Sequence, residues 1–124
     1  MSDTQQIQMY EEMLTKARRE RNQSQEAQAL GSLGNLYAAQ GNITKGIECL
    51  EKAGQISESL HDYDRAALDY KNLAACYEIG RRDLSTAIKY LEMAANLASP
   101  SNPEKKTYAA MAAARREELK KKQG

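Results

Sequence analysis

The chain has 124 residues, of which 41% are apolar and 28% charged, and its formal net charge is +1. This leaves room for one domain with a packed core, and the near-neutral balance excludes a partner chosen by the charge of the whole molecule. No apolar run approaches membrane-spanning length and the opening Ser2-Asp3-Thr4-Gln5-Gln6 is too polar for a signal peptide, so no membrane association and a cytoplasmic location are expected.

Abundant Ala, few β-branched residues and Pro only at positions 100 and 103 favour helix throughout. The first predicted helix runs from Thr4 to Asn22, with Ile7, Tyr10, Met13, Leu14 and Ala17 on one side. A second runs from about Ser24 to Gln40, with Ser24 as its cap and Gly41 to end it. The third begins at Thr44 and runs to about Leu60, its apolar spacing supplied by Ile47, Leu50 and Ile56. A fourth spans Asp62 to Gly80, where Asp62 and Asp64 suit the helix start, and a fifth spans Ser85 to Ala98. Ser99-Pro100-Ser101-Asn102-Pro103 then stops one helix and starts the next, with Asn102 as cap and Pro103 in the first helical position. The last helix continues to about Lys122. The expected fold is all-α, about six helices forming three antiparallel hairpins.

The second and third helices recur in the fourth and fifth. A shift of 40 residues lays Ala27 on Ala67, Leu30 on Tyr70, Leu33 on Leu73, Gly34 on Ala74 and Tyr37 on Tyr77. One residue is then inserted, placed by this reading in the turn Gly80-Arg81-Arg82-Asp83. With a shift of 41, Gly46 falls on Ala87, Ile47 on Ile88, Leu50 on Leu91 and Ala53 on Ala94. Small residues meet small and large meet large through two helices and their connection. Such units stack because a single hairpin cannot cover its own apolar face. The expected organisation is one domain over 1–124: an N-terminal helix (1–23), two repeats (24–60 and 61–100) and a C-terminal capping helix (101–124).

Chemistry is sparsely represented. Cys49 and Cys76 sit apart in apolar helical patterns, with no CxxC spacing, and read as reduced core residues. His61 is the only histidine, placed in a polar connection and matching Arg21 forty residues earlier. No phosphate loop, metal-ligand cluster or nucleophile–base pairing is present, so neither an enzyme nor a cofactor or metal is expected.

Leu33-Gly34-Asn35-Leu36-Tyr37, Gly41, Gly46, Leu50 and Ala53, echoed by Leu73-Ala74-Ala75-Cys76-Tyr77, Ala87, Leu91 and Ala94, resemble the tetratricopeptide repeat. The longer spacing is similar to the roughly 40-residue variety of G-protein-signalling modulators and kinesin light chains. The resemblance implies hairpins stacked in a short right-handed superhelix and a protein-binding role. It also implies that Gln28, Gly31, Ser32, Asn35 and Ala39, then Leu68, Lys71, Asn72, Ala75, Glu78 and Ile79, face a concave groove. Of these, Gln28, Ser32, Asn35, Lys71, Asn72 and Glu78 are the candidate ligand-binding residues. Asn35 and Asn72 stand out because an amide both donates to and accepts from the backbone of a bound segment, whatever its side chains. Some members clamp the C-terminal carboxylate of chaperones, but Gly31, Ala109 and Ala113 stand where that clamp needs cations, which argues against it.

The last helix carries seven Lys or Arg against three Glu between Pro103 and Gly124. Cations at a helix C-terminus suit its dipole, and no aromatic interleaving supports nucleic acid. Tyr108, Met111, Ala112 and Leu119 form a stripe expected to dock on the second repeat. The leading reading is an adaptor holding a peptide or helix of another protein. The alternatives are a structural subunit that self-associates or stacks through its end helices, and a basic C-terminal helix docked on nucleic acid or an acidic surface.

Overall fold

The computed structural model describes residues 1–124. It is all helical: α1 (Asp3–Arg19), α2 (Gln23–Ala39), α3 (Ile43–Ser59), α4 (Tyr63–Ala75), α5 (Leu84–Leu97) and α6 (Lys105–Gln123). A π-helical turn, Cys76–Gly80, extends α4. Each helix packs on the next in sequence, so α2–α3 and α4–α5 form the two repeated hairpins and α1 and α6 cover the ends.

One turn design is used three times. Arg21, Gly41 and His61 adopt left-handed backbone, with φ of 54°, 87° and 59°. In each case the next residue donates its N–H five residues back: Asn22 to Ala17 O at 2.8 Å, Asn42 to Tyr37 O at 2.9 Å and Asp62 to Ser57 O at 2.9 Å. This pattern satisfies carbonyls that a helix end leaves open. The same residue then starts the following helix. Asn22 Oδ1 accepts from Gln25 N and Asn42 Oδ1 from Lys45 N.

These caps correct the sequence-based starts. Asn22 rather than Ser24 caps α2, and Asn42 rather than Thr44 caps α3, because each Asn is also the residue that closes the preceding helix. Asp83 caps α5 through Thr86 N, so that helix begins at Leu84. Asp62 occupies the cap position of α4 without a side-chain cap bond, and its carboxylate turns to Arg65 at 3.8 Å. Asp64 bonds Ser99 N, Ser99 Oγ and Asn102 Nδ2, tying the start of α4 to the α5–α6 connection. Those donors hold its carboxyl below the usual range, led by the Ser99 backbone N–H. Helix α6 starts at Lys105 rather than Pro103, because Asn102 closes a tight turn instead, its Oδ1 accepting from Glu104 N at 2.9 Å.

The residue inserted in the second repeat is absorbed before the turn. Cys76–Gly80 widens into π-helix, and Asp83 N reaches back six residues to Tyr77 O at 2.8 Å. Arg82 still takes the left-handed position, with φ 52°.

The core follows the small-residue pattern. A Cβ on Gly34 would lie 2.6 Å from Leu50 Cγ and 3.1 Å from Gly46 O, so α2 and α3 meet at backbone range. In the second hairpin the matching Ala74 and Ala87 cluster with Leu91 and with Ala112 of α6. Tyr108 is buried in the main core, which carries out the docking expected of the α6 stripe. The tyrosines repeat as well: Tyr37 donates to Glu11 and Tyr77 to Glu51, each partner 26 residues upstream.

Gly34→Ala should lower unfolding stability by about 1–3 kcal/mol, since Leu50 is fully buried and cannot move aside. His61→Gly should raise it by about 0.5–1 kcal/mol by relieving a left-handed non-glycine. Urea midpoints at constant slope check both signs.

Candidate functional site

Helices α2 and α4 open the hairpins and lie side by side where Gly31 meets Asp69. Between them is a cavity of about 250 Å³ lined by Asn35, Ala38 and Ala39 of α2, Ile43 of α3, and Asn72, Ala75, Cys76, Ile79 and Gly80 of α4 and its π-turn. No charged side chain lines it. Two amides flank small apolar walls, and the π-turn raises its far edge: Ile79 is 79% exposed, while Gly80 lies so near Ile43 that a Cβ would meet it at 2.8 Å.

A second cavity of about 160 Å³ lies where α4 meets α5 and α6, lined by Lys71, Ala74, Ala75, Glu78, Ile79, Leu91, Met111 and Arg115. Arg115 Nε donates to Glu78 Oε1 at 2.8 Å, and Lys71 Nζ donates to Asn72 Oδ1 at 3.3 Å. Ala75 and Ile79 border both cavities, which together form a continuous strip across α2, α4 and α6.

The structure thus puts Asn35 and Asn72 on one cavity and Lys71 and Glu78 on its neighbour. Asn35 is exposed and free of side-chain bonds, whereas Asn72 is half-buried and already accepts from Lys71. Glu78 is committed to Arg115 and is therefore a poor free anion. Gln28, exposed, and Ser32, half-buried, lie toward the start of α2 and line neither cavity.

Sequence reasoning missed several residues. Ile43, Gly80 and Arg115 reach the strip from outside the helix faces considered. Asp69 is more consequential. It is 4% exposed, and its Oδ2 is buried without a hydrogen-bond partner. Burial pushes its carboxyl up to about 7; Arg65 opposes the shift and Asp62 adds to it. A signal existed, because the 40-residue shift lays Asp69 on Ala29, which is wholly buried.

Burial raises both thiols, Cys49 half-buried and Cys76 buried, away from the reactive thiolate. No group of three or more His, Cys, Asp or Glu could hold a metal ion, and no helix is long and apolar enough to cross a membrane. What the strip offers is amide hydrogen bonding beside an uncharged apolar hollow.

Residues 25–99 match the family model described as Tetratricopeptide repeat, a span that runs from the first turn of α2 to just past α5. No curated protein matches the chain.

Because Ile79 and Asn35 make no bond that the fold uses, Ile79→Ser and Asn35→Ala should each change stability by no more than about 0.5 kcal/mol. Thermal melts of the two variants check this, and a larger loss would show the strip to be structural.

Proposed function

The chain belongs to the tetratricopeptide repeat family, a non-catalytic family of protein-interaction repeats, and on that premise we propose that it is an adaptor whose α2–α4–α6 strip is a concave groove holding a peptide or helix of a partner protein. The observation that carries the proposal is the pairing of Asn35 and Asn72 across one uncharged cavity from two successive hairpins. Amides in that arrangement suit a main chain, which presents a donor and an acceptor at every residue. The apolar hollow between them suits one side chain of the bound segment.

Lys71 can leave Asn72 for an acidic group of the ligand, since a bond to a charged acceptor is stronger than one to an amide. Gln28 and Ser32 would extend the contact along α2. A carboxylate clamp of the chaperone-tail kind is not part of the proposal, because Gly31, Ala109 and Ala113 supply no cations.

The test is a crosslinked pull-down from native lysate with wild type, Asn35→Ala/Asn72→Ala and Ile79→Ser, after equal helicity and solution mass have been established. A groove ligand should be captured by wild type and fall about tenfold or more in the double variant, the effect of removing two hydrogen bonds. Equal capture by all three baits would move the working surface to the end helices or to the basic end of α6.

A further inference from the structure

Asp69 sits where α2, α3 and α4 converge. A Cβ on Gly31 of α2 would lie 3.0 Å from its Oδ1 and 4.0 Å from the Cβ of Ala53 on α3. The charged groups that act on it are Arg65, which opposes the shift, and Asp62, which adds to it. On α4, Arg65 lies one turn earlier and is held beside Asp62, and Tyr70 donates its hydroxyl to Glu58 of α3. On α2 the only carboxylate, Glu26, is paired with Arg18 of α1 at 3.2 Å. Gly31 meets Asp69 from α2 and Ala53 lies across the same gap on α3, while the other buried polar atom without a partner, Ser57 Oγ, lies one turn beyond Ala53. The hydrogen bonds place no donor on its buried Oδ2.

This carboxyl also lies under the groove. Asp69 precedes Asn72 by three residues and Gly31 precedes Asn35 by four, so each pair shares a helix face. The seam that Asp69 occupies is therefore the one that spaces the two amides. We propose that Asp69 is a proton-dependent clasp on the seam between the hairpins: protonated, it lets α2 and α4 close, and ionised, it loosens the seam and the Asn35–Asn72 spacing above it. The proposal stands whether or not the groove holds a partner.

The direction follows from burial without a counter-charge. A carboxyl pushed up to about 7 in the folded chain, against 3.8 as its ordinary value, binds more protons folded than unfolded between those limits. Its contribution is full below 3.8, declines as pH rises and is gone above about 7. Asp64 and Asp83, whose carboxyls are lowered, act the opposite way, and their contribution is lost only as pH falls through the acid range.

The experiment uses the full chain in a His61→Gln background, which removes its only histidine. A carbon-detected NMR titration of the Asp69 carboxyl should show a midpoint within about one unit of 7, and Arg65→Gln should move it higher by removing the nearest cation. The side-chain amide signals of Asn35 and Asn72 should follow the same midpoint. Seam amides such as Leu33 and Leu73 should lose protection about tenfold between about pH 5.5 and about pH 8.5, after correction for intrinsic exchange. Asp69→Asn, neutral and nearly the same size, should abolish both responses. A midpoint at or below about 5 overturns the proposal. So does an identical loss of protection in Asp69→Asn, or Asn35 and Asn72 signals that ignore the titration.

Discussion

The structure depends on a backbone constraint that recurs about every twenty residues: one residue turns left-handed, and its successor both closes the helix behind and opens the helix ahead. Asn22, Asn42 and Asp62 each send their N–H back five residues, and each accepts the first helical bond of the next element. With so short a joint, consecutive helices have no freedom to separate and must pack as neighbours. Packing them at that range demands small residues, which Gly34 and Gly46 supply in one hairpin and Ala74 and Ala87 in the other. The left-handed residue is Gly at only one of the three joints; Arg21 and His61 accept the same conformation because the two bonds that follow it outweigh about 1–2 kcal/mol of strain.

The same constraint explains what the sequence disclosed. Size classes had to be kept at the contacts, so the 40-residue shift was visible and the hairpins with it. The helix starts were less visible. Asn22 and Ser24 are both good caps by residue type, as are Asn42 and Thr44, and only the bond back to the previous helix decides between them. The inserted residue was expected in the turn Gly80-Arg81-Arg82-Asp83, although the matched positions fix it only to the stretch between Tyr77 and Leu84. Helix ends tolerate a wider turn better than a joint tolerates an extra residue, and the structure puts the insertion into Cys76–Gly80.

That placement links fold to candidate site. Had the extra residue lengthened the loop, α4 would have ended as α2 does and Ile79 would not stand at the edge of the cavity. The widened turn instead sets Gly80 against Ile43, with Ile79 exposed beside them, closing one end of a hollow whose sides are Asn35 and Asn72. The two Asn drew notice in the sequence because an amide inside a helix invites an explanation, and both line this hollow. Asp69 drew none, since its character comes from what α2 and α3 fail to offer. A buried carboxylate is unremarkable beside a cation and costly beside Gly31, with no donor on its Oδ2.

The two seams that flank α4 consequently differ in kind. Toward α6 the contact is finished with ion pairs, Arg115 to Glu78 and, from α5, Glu92 to Arg116, all partly exposed and each worth at most about 1 kcal/mol. Such pairs weaken as salt screens them. Toward α2 the seam carries the two amides at its surface and, beneath them, one carboxyl without a partner on Oδ2, shielded from salt by its burial and sensitive to its own protonation. Salt therefore acts on how α6 covers the second repeat, and pH acts on how the second repeat meets the first. Since the strip from Asn35 to Arg115 crosses both seams, anything held along it would feel the two conditions at different points of its length.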